Sequence, residues 1–242
     1  MVGISQRKAA LIAGFSILIM AILAGFAYGF VLQGLIVSNN TTLTADNIRS
    51  SLMLFRLGIF SFLIILICDT LAAWALHVFL KQVNEHLSLL TAWFRLIYSA
   101  ILGIALLNLT FVALLLNGAN YLSIFEINQL NALVTFFLNG FHNIWSIGLV
   151  IFGCHLYVLG YLVFKSGFIP KIFGILLIIA SLCYIINNSA NLLLPNYEKY
   201  KATVEIFLSL PMIVGEMGFG LWLLFKGGIR PEDKCDLNGK AD

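Results

Sequence analysis

GCHLYVLGYLVFKSGFIPKIFGILLIIASLCY, residues Gly153 to Tyr184, holds two apolar runs on either side of a seven-residue break, Lys165 to Lys171. Gly167 suits the left-handed position just past a helix end, and Lys165 faces the negative end of that helix's dipole. Phe168 can pack back on the helix, and Pro170 fits the first turn of the next. The stretch therefore reads as a transmembrane hairpin of two antiparallel neighbours.

The surrounding composition agrees. Of 242 residues, 61% are hydrophobic and only 10% are charged, and the mean hydropathy is +0.99. Soluble domains run at about 45 to 50% apolar and about 25% charged, so this is an all-α, polytopic integral membrane protein. A span takes about 20 apolar residues, which leaves no room for a soluble domain. Six spans are expected, at about 9–37, 55–80, 87–116, 133–164, 171–194 and 204–225, in a single membrane domain with a short charged tail at 226–242. Arg7 and Lys8 precede an apolar run, Ala9 to Val37, that outlasts the 7 to 15 residues of a secretory signal. It reads as a retained first span, with a cleavage site among the small residues between Ala24 and Ala27 as the alternative.

Local signals place the connections. Thr44 can cap a helix beginning at Ala45 and running on into span two, with Asp46 in its first turn. Ser123 and Glu126 have capping-box spacing ahead of span four. Ala21, Gly25 and Gly29 form a small-residue stripe on span one, and Gly215, Gly218 and Gly220 thin span six. Both read as close-packing surfaces within the bundle.

Orientation follows from the basic residues. With the N-terminus inside, one side collects Arg7, Lys8, Lys81, Lys165, Lys171, Lys226, Arg230, Lys234 and Lys240, and the other Arg49, Arg56, Lys199 and Lys201. Nine against four predicts both termini in the cytoplasm.

The net charge of +3 forms no patch that could follow phosphates, so nucleic-acid binding is not expected. Cys68, Cys154 and Cys183 lie in apolar runs and Cys235 stands alone in the tail, a pattern of neither disulfides nor zinc. There is no HExxH, GxSxG or phosphate-binding loop. His142 and His155 are thirteen residues apart, about 220° around a helix, so one span cannot offer both to one metal or haem. No cofactor or metal is expected. The partners are membrane lipids and a small-molecule or lipid ligand, with the oligomeric state open.

Ionisable groups at membrane depth are costly and face partners or cavities. Asp69 and Arg95 fall at similar predicted depths on adjacent antiparallel spans, which predicts an ion pair. His155 and Glu216 reach the same level, and Glu205 shares a helix face with Glu216, Met212 and Gly220. A second polar set lies toward the other membrane face, with Asn139, His142 and Asn143 on span four and Asn187, Asn188 and Asn191 on span five, a turn past Tyr184. These residues can line a wet cavity or hydrogen-bond the helices together. For Asp69 and Arg95 the readings are a register-fixing pair, a substrate or proton pathway, or catalysis. For His155 they are a satisfied core histidine or a ligand.

The GxH, GYL, SGFIP and GILL elements of Gly153 to Tyr184 occur together with FRLG at Phe55 to Gly58, Asp69, the Phe94–Arg95 pair and GE…WLLFKG from Gly215 to Gly227. In this the chain resembles the bacterial integral-membrane family catalogued as domain of unknown function 4386. The resemblance implies a six-helix domain in a bacterial inner membrane, and no activity, substrate or cofactor. It falls on Arg56, Asp69, Arg95, His155 and Glu216, which form the first candidate site, and misses the Asn cluster, which ranks second. The expected function is binding or conducting a small or amphiphilic molecule through the buried polar site. An intramembrane enzyme using His155 and Glu216 and a structural or partner-binding subunit are the alternatives. Six helices without a visible repeat between spans one to three and four to six weigh against a transporter.

Overall fold

A computed structural model describes residues 4–38, 40–194 and 197–229, with the side chains of 121 and 198–207 outside that description. Arg230, Lys234, Cys235 and Lys240 of the tail, and the side chains of Lys199, Lys201 and Glu205, therefore lie outside the described residues. Within them there is no strand, and six helices are long and apolar enough to cross a membrane. Span one is Gln6–Leu35, span two Leu52–Leu80 and span three Glu85–Leu115. Span four is Ile127–Lys165, span five Lys171–Leu193 and span six Glu198–Lys226.

The spans form a closed ring in chain order, each packing on the next and span six returning to span one. One end of the ring, the near side, holds the start of span one, the 81–84 and 166–170 turns and the end of span six. The opposite end is the far side. Large apolar side chains such as Phe60, Ile104, Phe136 and Ile186 point outward, as they must where the solvent is hydrocarbon. Phe55, Phe62, Phe79, Phe141 and Phe219 fill the inside. Lipid is as apolar as that interior, so association rests on close contact more than on hydrophobic burial.

The hairpin shows how that contact is made. Gly167 has φ +74°, the left-handed geometry the turn requires. A Cβ on Gly160 would stand 2.8 Å from Gly174 O, and one on Gly174 2.7 Å from Phe164 N, so both glycines let the two backbones touch. Pro170 occupies the cap of span five instead of its first turn. Phe168 packs across the ring on Phe79 of span two, centroids 5.7 Å apart.

Ring closure is a hydrogen-bonded clasp on the near side. Arg7 donates from Nη2 to Leu224 O at 2.6 Å, and from Nη1 to Gly227 O at 2.9 Å and Leu223 O at 3.3 Å. These carbonyls end span six, where Leu223 O also accepts from Gly227 N, so a guanidinium both caps the helix end and meets the negative end of the dipole. A turn or two deeper, a Cβ on Gly220 would meet Ile17 at 2.9 Å. Gly215 likewise lies against Leu176 O, so the span-six glycines are packing positions.

The span-one stripe behaves differently. A Cβ on Gly25 or Gly29 would meet nothing within 4 Å, and both glycines lie in a π-helical stretch, Gly25–Leu32. Here the wider turn stacks Phe26 on Phe30 at 5.9 Å. This stretch packs on span two and, among the described residues, makes no more than marginal contact with span six. Tyr28 and Gln33, in and just after this stretch, border one cavity with Leu208 and Met212 of span six.

Two caps differ from expectation. The far-side helix runs Thr41–Ser50, capped by Asn40 Oδ1 accepting from Leu43 N at 2.9 Å. Thr44 Oγ1 instead accepts from Val37 N and donates to Val37 O, tying the loop to the helix. The chain breaks at Ser51 (φ −119°, ψ 36°), so this helix does not continue into span two. Span four begins at Ile127 with Glu126 and Gln129 as its reciprocal capping pair, while Ser123 Oγ donates to Asn120 O in a preceding 3₁₀ turn. At 39 residues span four is about 58 Å long, so it projects past the hydrocarbon on the far side.

Candidate functional site

Asp69 on span two and Arg95 on span three form a buried ion pair. Nη2 lies 2.8 Å and Nε 2.9 Å from Asp69 Oδ1, with both side chains no more than 3% exposed. The third guanidinium nitrogen, Nη1, meets His155 Nε2 on span four at 3.1 Å. An arginine nitrogen only donates, so Nε2 accepts and the proton sits on Nδ1, which donates to Thr91 O at 2.8 Å. The Thr91 hydroxyl donates to His155 O at 3.0 Å. Arg95 Nη2 also touches Met20 Sδ of span one at 3.8 Å, and Phe152 lies beneath the guanidinium with its centroid 5.4 Å from Cζ. The cluster holds four spans together and is sealed on every side.

Glu216 and Arg56 do not join it. Glu216, half-buried on span six, accepts from the Tyr184 hydroxyl of span five at 2.8 Å. It is linked to the cluster only through rings, since Phe152 stacks on His155 at 5.4 Å and meets Tyr184 edge-on at 5.3 Å. Arg56 is exposed near the far end of span two, thirteen residues or about 20 Å along the helix from Asp69. It is not part of a buried site. Its charge is tolerated there because a long side chain one turn from the interface reaches the polar region.

The second polar set divides as well. Asn139 and Asn143 are exposed on span four. His142, Asn187, Asn188 and Asn191 instead line a far-half cavity of about 570 Å³ between spans one, four, five and six. Its other polar walls are Gln33, Ser146, Ser209 and the rings of Tyr28, Trp145 and Tyr184, and its apolar walls include Leu149, Leu208, Met212 and Ile213. Tyr197 donates to Asn187 Oδ1, Asn188 Nδ2 to Tyr184 O at 2.9 Å, and Asn191 Nδ2 to Ser146 Oγ at 2.9 Å. Each amide is thereby held by one atom. Asn187 and Asn188 are only 8% and 4% exposed. Pro211, beside the cavity in span six, removes one backbone donor from the same wall.

Thr91 and Phe152 escaped the sequence reading, although each carried a signal: Thr91 is one turn before Arg95 and Phe152 one turn before His155, on the same helix faces. Gln33 carried one as well, as the amide that interrupts the apolar run from Ala9 to Val37, whereas Tyr28 lies in the π-helical turn and carried none. Among the described residues no three His, Cys, Asp or Glu side chains group as metal ligands.

The family described as a domain of unknown function (DUF4386) matches residues 12–227, which takes in all six spans, the ion-pair cluster and the cavity. An uncharacterized protein from Archaeoglobus fulgidus is 33% identical over 170 residues, covering 70% of this chain and 82% of the relative. No solved structure matches. The match from the first span to the end of the sixth shows that this chain is a multi-pass membrane protein of the DUF4386 family.

Proposed function

We propose that the protein binds a small amphiphilic molecule in the far-half cavity, and that the Asp69–Arg95–His155 cluster is the frame that holds the cavity's helices in register. The observation that carries this is a cavity of about 570 Å³ on whose wall Asn187, Asn188 and Asn191 from one helix are set among hydroxyl and apolar side chains of three others. Amides held in place by one hydrogen bond each can offer their remaining donors and acceptors to a bound molecule. The volume is within the usual range for small-molecule sites, about 300 to 1,000 Å³, and the mixture of amide, hydroxyl and apolar walls suits a molecule with a polar head and an apolar tail.

Binding is favoured over conduction because the near half is closed by the ion-pair cluster. The catalytic reading of His155 and Glu216 finds no support in the geometry. Both imidazole nitrogens are committed, to Arg95 and to Thr91, and Glu216 is bonded elsewhere. Native mass spectrometry of the detergent-purified chain tests the reading. A ligand mass should accompany the wild type and fall away in Asn188→Leu and in the cavity-filling Met212→Trp. Equal ligand loads in all three proteins would place the bound molecule elsewhere.

We infer that the membrane is the cell membrane, a bacterial inner membrane where the host is a bacterium, with the near side facing the cytoplasm. Of the described basic residues, Arg7, Lys8, Lys81, Lys165, Lys171 and Lys226 lie on the near side and Arg49 and Arg56 on the far side, the asymmetry that orients membrane proteins. A periplasm-active reporter fused after Lys240 should be silent, and a bright one reverses the orientation.

A further inference from the structure

We propose that the molecule bound in the far-half cavity carries a cationic amine or quaternary ammonium head, seated among Tyr28, Trp145 and Tyr184 and balanced by Glu216. The inference rests on the binding reading above and adds the charge of the ligand.

Three observations converge on it. First, the cavity presents aromatic faces on three helices, with Tyr28 and Trp145 set edge to face at 5.2 Å. A cation within about 6 Å of such rings is attracted by their quadrupoles, more strongly where water is excluded. Second, among the described residues the cavity wall carries no Lys or Arg, so none of them offers an anionic head a countercharge or repels a cation.

Third, the bundle's carboxylates are unequally matched. Asp69 has Arg95 at 2.8 Å. Among the described residues Glu216 has only the neutral hydroxyl of Tyr184, whose ring is itself a cavity wall. Glu216 follows Met212 and Ile213 of the wall by about one helical turn, about 6 Å along the helix axis. Arg95 and Asp69 on the neighbouring spans act on Glu216 in opposite senses. A carboxyl inside the membrane without a basic partner among the described residues is stabilised as the anion by a mobile cation. Tyr184 is then a positioning residue, holding the carboxylate toward the cavity while offering its ring face to the ligand.

The test uses the full-length protein in nanodiscs at pH 8, titrated with three probes of equal tail length, hexyltrimethylammonium, hexanol and hexanoate, by calorimetry against empty nanodiscs. The cation should bind about tenfold or more tightly than the alcohol, and hexanoate most weakly. Glu216→Gln should remove the cation's advantage while leaving hexanol affinity in place, and Tyr28→Leu should reduce the advantage several-fold without touching the carboxylate. Comparing phosphatidylcholine with phosphatidylglycerol nanodiscs separates two sources of the head. Weaker cation binding in phosphatidylcholine identifies a lipid headgroup as the competitor, and equal binding identifies a free amine. Equal affinity for cation and alcohol in the wild type would overturn the charge preference and leave the cavity a neutral site. Failure of all three probes to bind would overturn the cavity reading with it.

Discussion

Arg95 reaches a single oxygen of Asp69 twice, through Nε at 2.9 Å and Nη2 at 2.8 Å, which leaves Nη1 directed at His155. One guanidinium thereby fixes the relative height of spans two, three and four. Removing either charge strands the other in the bundle, so Asp69→Asn or Arg95→Met should each lower stability by about 3 to 5 kcal/mol. The double change Asp69→Leu with Arg95→Met should recover most of that loss, because neither charge is then left uncompensated. Thermal unfolding in one detergent reads both. If the double variant also retains the ligand mass, the pair is a frame and not part of the binding surface.

His155 and Thr91 should contribute unequally. His155→Leu deprives both Arg95 Nη1 and Thr91 O of a partner, and about 2 to 3 kcal/mol should be lost. Thr91→Val removes the hydroxyl but keeps the carbonyl that holds Nδ1 at 2.8 Å, so the cost should be about 0.5 to 1.5 kcal/mol. Reversal of this order in chemical denaturation would mean that the threonine hydroxyl, not the imidazole, holds the crossing.

Two glycine substitutions separate packing from mere smallness. Gly160→Ala places a methyl 2.8 Å from Gly174 O and should cost about 1 to 3 kcal/mol by forcing the hairpin apart. Gly25→Ala meets nothing within 4 Å and should be neutral or stabilise by up to about 1 kcal/mol. Parallel melting curves of the two variants decide whether the span-one stripe has a packing role.

Arg7→Met keeps an apolar stem and removes the donors to Leu223, Leu224 and Gly227. The expected loss is about 1.5 to 3 kcal/mol, concentrated at the seam. Hydrogen exchange should quicken at the end of span six while the Gly160–Gly174 crossing keeps its protection. Uniform acceleration across all spans would show that the clasp is not a local lock.

The hairpin was legible because glycine, proline and lysine at a helix end each carry a backbone or charge requirement that few other residues meet. The Asp69–Arg95 pair was legible for a related reason, since a charge inside hydrocarbon must find its complement and depth limits the choice. What escaped was the lateral geometry. In a membrane bundle the lipid face and the core face are equally apolar, so hydropathy does not say which side of span one packs. A π-helical turn differs from an α-helical one by backbone register, without a residue signature. Gly25 and Gly29 therefore read as a packing stripe, and Tyr28 and Gln33 were not seen to face a cavity. Arg56 was grouped with the buried charges because position along the span, and not the direction of the side chain, was all the pattern offered.

The ring order has a consequence for how the protein is made. Spans two to six each rest on the span synthesised just before them, so every interface but one can form as the chain emerges, without waiting for distant sequence. The exception joins Arg7 to carbonyls more than 200 positions later. Until translation delivers that last helix, the bundle is an open arc with its polar interior accessible from the bilayer. An amphiphile present during synthesis could be enclosed as the arc closes, and the finished protein could carry cargo that never passed through an entrance.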